Sequence, residues 1–290
     1  MHPEFRLEQP PDQPVTLSRR EVIDLLATRG IEPRRSLGQN FVVDPNTVRR
    51  IVRLSGITPG ESVVEIGPGL GSLTLALVEA GASVTAVEAD PVLAEILAEV
   101  TEGMPVRIIV GDALSLEWAQ ELDPGTESLI ANLPYNVATP LVAEVLDHVA
   151  RIRKLVVMTQ KEVGQRLVAD PGSKAYGALS VKVASWARAR LLGAVPPTVF
   201  HPRPRVESAL VELVRHPRPA VPEDIDREAF FSFVRQGFGQ RRKMLRRSLR
   251  GLVSEEDFTR AGVGPQQRPE ELGLDQWLSL YRESLPGELP

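Results

Sequence analysis

Apolar residues recur along this chain in two alternating patterns. Ser62–Ile66, Ser83–Val87, Val106–Val110, Ser128–Ala131 and Leu155–Thr159 are short apolar runs of the length of buried strands. Segments with apolar residues at helical spacing fall between or after them, from about Ser72 to Ala80, Pro91 to Val100, about Pro140 to Val149, and around Val163 to Val168. Strands that alternate with helices predict a mostly parallel sheet covered on both faces. Two later runs, Ala189–Val195 and Val206–Val214, have no long helix between them. They are expected to be antiparallel edge strands closing the same sheet.

The flanks follow other patterns. Residues 1–17 are rich in proline and polar groups and predict a disordered tail. Ser18-Arg19-Arg20-Glu21 reads as a capping box. The helix it opens carries Val22, Ile23, Leu25 and Leu26 and should stop at Gly30. Arg34 to Phe41 is a basic, glycine-containing loop, and Asp44-Pro45 starts a second helix with Val48, Ile51, Val52 and Leu54 inside it. Prolines cluster at 216–223, which marks a linker between a first domain over 18–215 and a smaller all-α domain over 224–290. In the latter, Phe231, Val234, Phe238, Leu245, Leu249 and Leu252 fall at helical intervals, with Gly237 and Gly239 expected to separate two helices. The fold class is therefore α/β with a C-terminal helical domain.

Composition narrows the chemistry. With 290 residues, 42% of them hydrophobic, the chain can build one large or two modest cores. The absence of cysteine excludes disulfides, thiolate metal sites and cysteine nucleophiles, and the four scattered histidines show no metal-ligand spacing. No apolar run is long enough for a membrane span, and no signal-peptide core opens the chain, so a cytoplasmic protein is expected. The net charge of −4 hides its distribution. Arg235, Arg241, Arg242, Lys243, Arg246, Arg247 and Arg250 lie in one stretch without an acid. Such a segment can be a solvated helix face or a surface that holds RNA phosphates. Its place on a domain appended to the sheet favours RNA.

After the first strand comes Glu65-Ile66-Gly67-Pro68-Gly69-Leu70-Gly71. Glycines there permit a tight turn and close approach of a ligand to the backbone. A dinucleotide loop would place its third glycine at position 72, which is serine. The spacing resembles an S-adenosylmethionine loop more closely, with a plain strand-to-helix turn as the competing reading. Glu88 ends the second strand, where a carboxylate can accept both hydroxyls of a ribose. Asp112 follows the third and can accept from an adenine amino group, or simply cap the next turn. Glu65 either holds the loop or sits near the methionine amine.

Asn132-Leu133-Pro134-Tyr135 ends the fourth strand, at the edge where open α/β sheets bind ligands. An adenine amine is a poor nucleophile because its lone pair is delocalised into the ring. Acceptance of its two hydrogens by Asn132 and by the Leu133 carbonyl would favour a pyramidal nitrogen with a localised lone pair. Pro134 fixes the backbone, and Tyr135 offers a face on which a base can stack. The competing reading is a strand-ending turn with a buried tyrosine.

From about Arg34 to Leu252 the sequence resembles the small-subunit ribosomal RNA adenine dimethyltransferases. The resemblance is carried by Leu37-Gly38-Gln39-Asn40-Phe41, the glycine loop, Asn132-Leu133-Pro134-Tyr135 and Gln160-Lys161-Glu162-Val163. It continues through Lys174-Ala175-Tyr176-Gly177, Phe200-His201-Pro202-Arg203-Pro204-Arg205-Val206 and Gln240-Arg241-Arg242-Lys243. It implies a Rossmann-like S-adenosylmethionine methyltransferase sheet, with Asn40, Val42, Gly67, Gly69, Glu88, Asp112 and Asn132 around the cofactor. It also implies that Phe200 flanks the target base opposite Tyr135, although Phe200 also suits an ordinary core. The implied acceptor is two adjacent adenosines near the 3′ end of 16S rRNA in an assembling small subunit, with no metal and no membrane.

Four rival readings remain, one of them a DNA adenine methyltransferase, which usually carries an acidic or asparagine residue followed by two prolines and an aromatic. A sister family methylates large-subunit RNA and confers antibiotic resistance; the Leu37-Gly38-Gln39-Asn40 and Gln240-Arg241-Arg242-Lys243 segments favour the small-subunit enzyme. A non-catalytic assembly or transcription factor on the same fold would not need Asn132 and Tyr135. A nicotinamide oxidoreductase is disfavoured by the glycine spacing.

Overall fold

A computed structural model of the protein describes residues 16–34, 38–240 and 242–285. Residues 1–15 of the expected tail, and Leu37 and Arg241 of the motifs, lie outside the described residues. Thr16 and Leu17, assigned above to the tail, are buried. The reason is local. Ser18 and Glu21 form the capping box of helix α1 (Arg19–Thr28), and Leu17, just before the cap, joins Val22 in one apolar cluster as a hydrophobic staple.

Strand β1 (Phe41–Val42) follows, then α2 (Pro45–Ser55), capped by Asp44 and closed by Gly56 in the left-handed region. Next come β2 (Ser62–Ile66), α3 (Ser72–Glu79), β3 (Ser83–Glu88), α4 (Pro91–Val100), β4 (Val106–Val110), the short α5 (Trp118–Glu121) and β5 (Ser128–Asn132). The first domain continues through α6 (Ala138–His148), β6 (Lys154–Gln160), α7 (Lys161–Leu167), α8 (Ala178–Trp186), β7 (Ala187–Val195), β8 (Phe200–His201) and β9 (Ser208–Arg215). Helices α9 (Arg227–Gly239), α10 (Leu245–Ser248), α11 (Glu255–Arg260) and α12 (Leu274–Ser284) end the described chain.

The main sheet has the order β4-β3-β2-β5-β6-β9-β7. Strands β2 to β6 are mutually parallel, and β9 runs against both its neighbours. The two late runs do pair antiparallel in the same sheet, as expected, but only β7 is an edge strand. Only β9 is reversed, and it is interior, buried at seven of eight positions between β6 and β7. The edge strand β7 runs with β2 to β6, and β9 returns from it into the position between β6 and β7. The sequence also left unmarked the helix α8 that carries the chain from α7 to this edge.

Side chains alternate between the two faces of the sheet, as the strand period requires. Val64, Leu129, Ala131 and Val157 pack with α6 and α8, whereas Val63, Ile130, Val156 and Met158 pack with α2 and α3. Gly164 in α7 lets that helix lie against β9, since a Cβ there would stand 2.8 Å from Cβ of Ala209.

Helices α9 to α12 share a third core that includes Tyr176 and Val181 from the α8 region. The Tyr176 hydroxyl donates to the Leu272 carbonyl at 3.0 Å. In the stretch expected to be a linker, Val221 is buried and the Ala220 amide donates to the Ser185 carbonyl. Helix α9 ends at Gly239 but runs through Gly237, where a break was expected. That glycine seats Trp277, whose Cη2 would lie 2.5 Å from an added Cβ. Among the described residues no helix is long and apolar enough to cross a membrane, and no cluster of His, Asp and Glu could hold a metal ion.

Candidate active site

The strand order reverses between β2 and β5, which neighbour each other while their following chains leave in opposite directions. Such a switch point leaves a crevice beyond the carboxyl ends of the strands. Here it is a cavity of about 440 Å³, within the range of small-ligand sites. Of the cofactor residues expected from the sequence, Asn40, Val42, Gly67, Glu88, Asp112 and Asn132 all line it.

Gly67 turns the chain with φ +66°, and its amide donates to the Val87 carbonyl. Gly69 does not reach the cavity wall, contrary to expectation. It sits under the Phe41 ring, which would be 2.9 Å from an added Cβ, and its amide donates to Oε2 of Glu88 at 3.0 Å. Gly69 therefore acts on the cavity through Glu88. The other oxygen, Oε1, accepts from the Asp90 amide at 3.0 Å. Each oxygen keeps a second lone pair, so a ribose diol can still be received. Burial raises the pKa of Glu88, helped by the charge of Asp90, and backbone amides of Asp90, Gly69 and Ala89 oppose that rise.

Glu65 lies beneath the loop at 1% exposure and accepts from the Thr74 hydroxyl at 2.6 Å. Burial pushes its pKa up to about 8, against that hydrogen bond and helped by the charge of Glu88. At neutral pH it is mainly a neutral acid. Asp112 is exposed at the cavity edge and accepts from the Leu114 amide at 2.9 Å, a turn rather than a helix cap, since α5 starts only at Trp118.

Asn132 ends β5. Its Nδ2 donates to the Asn40 carbonyl at 3.2 Å. A backbone carbonyl only accepts, so this bond fixes which end of the amide is NH₂ and leaves Oδ1 as the acceptor for a ligand. Leu133 is buried in the core, and its amide donates to the Met158 carbonyl at 3.0 Å. Pro134 packs under Gly38, where an added Cβ would meet the Pro134 ring at 3.0 Å. The first-domain loop thus lies directly on the Asn-Leu-Pro-Tyr turn.

Tyr135 lines a second cavity, whose walls share Gly38, Asn40 and Asn136 with the first. Its hydroxyl hydrogen-bonds the buried Ser208 Oγ at 2.9 Å. Burial raises its pKa, only partly offset by Ser208, so it stays a neutral phenol and is no base. Phe200 lines neither cavity. It is 2% exposed and packs with Val42, Met158 and Leu210, opposite Val42 in the β1–β8 pair. The structure thus gives it the core position that the sequence left open, bracing the strand that carries Val42.

In the helical domain Arg235, Arg242, Lys243, Arg246 and Arg247 are all exposed, and no ion pair joins any of them among the described residues. Partners that sequence reading missed are Ser208 for Tyr135, the Asn40 carbonyl for Asn132, and Asp90, which receives Gln39 Nε2 at 3.4 Å. None has a local sequence signal, because each pair is far apart in the chain.

A family model described as ribosomal RNA adenine dimethylase matches residues 31–284. A relative from Kineococcus radiotolerans, named ribosomal RNA small subunit methyltransferase A, is 48% identical over 268 residues, 89% of this chain and 88% of its own length. One of the same name from Thermobifida fusca is 46% identical over 265 residues, 88% of this chain and 91% of its own. Among solved structures, the 23S rRNA methyltransferase ErmE is 27% identical with a TM-score of 0.65, over 84% of this chain and 98% of that one. A dimethyladenosine transferase from Plasmodium falciparum, 22% identical with a TM-score of 0.66 over 82% and 94%, shares the fold.

The sheet order, the glycine turn and the acidic cavity define a Rossmann-like methyltransferase fold with a helical C-terminal domain. The chain belongs to the ribosomal RNA adenine dimethylase family.

Proposed function

We propose that the protein transfers methyl groups from S-adenosylmethionine to the N6 atoms of two adjacent adenosines near the 3′ end of 16S rRNA, acting on the assembling small subunit. The observation that carries this reading is the Asn132 amide, locked by the Asn40 carbonyl so that its oxygen is the acceptor at the mouth of an acidic cavity. The cavity suits the cofactor: the two free lone pairs of Glu88 fit a ribose, Asp112 fits an adenine amine, and Glu65 lines the same cavity beneath the loop.

S-adenosylmethionine, when bound, supplies a methyl group on a sulfonium, ready for displacement. Asn132 Oδ1 and the Leu133 carbonyl accept the two amine hydrogens of the target adenine. Acceptance from both sides draws the nitrogen out of conjugation and directs its lone pair. Pro134 and the overlying Gly38 loop hold this turn rigid, and Tyr135 stacks the base after it leaves its helix. The product ammonium is acidic and loses its proton to water, so no strong base is required. Orientation supplies most of the rate, a contribution of about 7–11 kcal/mol in well-aligned systems. The exposed residues Arg235, Arg242, Lys243, Arg246 and Arg247, with Arg241 between them, hold RNA phosphates while the first domain does the chemistry.

The large-subunit alternative rests on the ErmE-like structure at 27% identity, and the relatives at 46% and 48% outweigh it. The test is transfer of labelled methyl to unmethylated small subunits, large subunits and DNA, with Asn132→Ala in parallel. Dimethyladenosine only in the small subunit, reduced about 10²–10³-fold in the variant, is expected. Label in the large subunit refutes the substrate; no label anywhere refutes catalysis.

A further inference from the structure

Beyond Tyr135 the second cavity, about 540 Å³, is also lined by Gln160, Arg203 and Arg205. The two arginines lie in the irregular segment between β8 and β9, separated by Pro204, and both are exposed. Both line the same cavity, two residues apart in the chain.

Neither guanidinium has an ion-pair or hydrogen-bond partner among the described residues. The nearest acid in sequence, Glu207, is taken by Lys161 at 2.6 Å. Arg260 and Arg282, by contrast, are neutralised by Glu283 and Asp224, whereas Arg203 and Arg205 stay uncompensated as the arginines of the helical region do. Two uncompensated guanidinium groups on one cavity wall make a local positive field, and their planar forks match phosphate oxygens. The stacking face for a base, Tyr135, stands on the same wall and is fixed by Ser208, the first residue of β9. Base platform and guanidinium pair are thus attached to the two ends of one short segment.

Resting on the proposed function, we infer that Arg203 and Arg205 clamp the phosphates on either side of the target adenosine while its base stacks on Tyr135. This is a grip on the reacting nucleotide itself, distinct from the docking surface of the helical domain. It explains why a cavity adjoining the cofactor site should be cationic at one wall when the cofactor cavity is acidic.

The test compares wild type, Arg203→Ala/Arg205→Ala and Arg203→Lys/Arg205→Lys. Three measurements are made: cofactor binding by calorimetry, steady-state methylation of unmethylated small subunits, and binding of a single-stranded adenosine-containing oligoribonucleotide from 50 to 300 mM salt. The alanine pair should bind cofactor as wild type does, which certifies its fold. Its KM for subunits should rise on the order of tenfold with kcat nearly unchanged, because a phosphate grip acts equally in the ground and transition states. Its plot of log affinity for the oligonucleotide against log salt should be shallower by about 1.4, at ~0.7 per phosphate contact on a single strand. The lysine pair should restore most of that slope. An alanine pair with unchanged KM and slope overturns the clamp. A wild type that methylates no small subunit, yet loses the salt slope in the alanine pair, refutes the proposed function and with it the clamp on a target adenosine, leaving only a phosphate contact.

Discussion

Replacing Glu65 by glutamine should make the protein more stable, and increasingly so as the pH rises. Glu65 is 1% exposed, and burial lifts its pKa from 4.5 to about 8. In the unfolded chain the same carboxyl ionises near 4.5, so between these values the folded state holds one more proton than the unfolded state. Stability then falls as pH rises through that window and stays low above it. A rise from 4.5 to about 8 corresponds to about 5 kcal/mol at roughly 1.4 kcal/mol per pH unit. That is an upper value, because the carboxyl borders the cavity and water entering it lowers the cost. Glutamine keeps an acceptor for the Thr74 hydroxyl and carries no charge to bury. The assay is urea unfolding of both proteins at pH 5, 6.5 and 8. Near pH 5 the two should differ little. By pH 8 the variant should exceed the wild type by several kcal/mol, a large fraction of a typical folding free energy. A difference that stays constant from pH 5 to pH 8 would refute the argument that Glu65 is a neutral acid in the folded protein.

Other consequences are smaller but equally direct. Glu88→Ala removes the receiver for a ribose and also frees the Gly69 amide, so calorimetry should show cofactor affinity reduced about 10- to 100-fold, as for loss of hydrogen bonds to a charged group. Tyr135→Phe loses only the bond to Ser208, about 1 kcal/mol in a denaturation curve, and should keep kcat within a few-fold because the stacking face survives. Gly237→Ala forces a methyl into the Trp277 ring and should cost about 1–3 kcal/mol by thermal or urea unfolding; an unaffected midpoint would mean that α9 and α12 are not locked there.

The parts of this fold that were legible in the sequence are those written in short-range periodicity. The strands from Ser62 to Gln160 announced themselves as apolar runs, and the caps at Ser18 and Asp44 as single residues before a helix. What failed was order rather than identity. Two apolar runs near the end of the first domain were visible, but nothing in them says that β9 inserts between β6 and β7. That order depends on pairing with strands distant in the chain, as where Leu210 of β9 lies opposite Met158 of β6 and shares its apolar cluster. Gly237 misled for a related reason. A glycine is read as a break when its neighbours alone are considered, whereas here its missing Cβ is occupied by Trp277 from a helix far along the chain. Gly69 was assigned to the ligand because the motif contains it, while the structure spends its amide on Glu88.

The site shows the same division at a finer scale. Each motif supplied a residue type suited to its chemistry, yet the orientation of each residue comes from a different motif. Asn132 is turned by the Asn40 carbonyl, Glu88 by the Gly69 amide, and Tyr135 by Ser208. β1, which follows Asn40, is tied in turn to the glycine loop's helix, where Ser72 at the start of α3 donates to the Val42 carbonyl at 2.8 Å. The glycine loop, the opening loop and the Asn-Leu-Pro-Tyr turn are therefore one mechanical unit across the switch point, and a change in any one is felt at the other two. For this reason activity should be lost by substitutions that remove no hydrogen-bonding group. Bulk at Gly38, in the wall of both cavities, would press on Pro134 and Asn136 and displace Asn132 from its acceptor position.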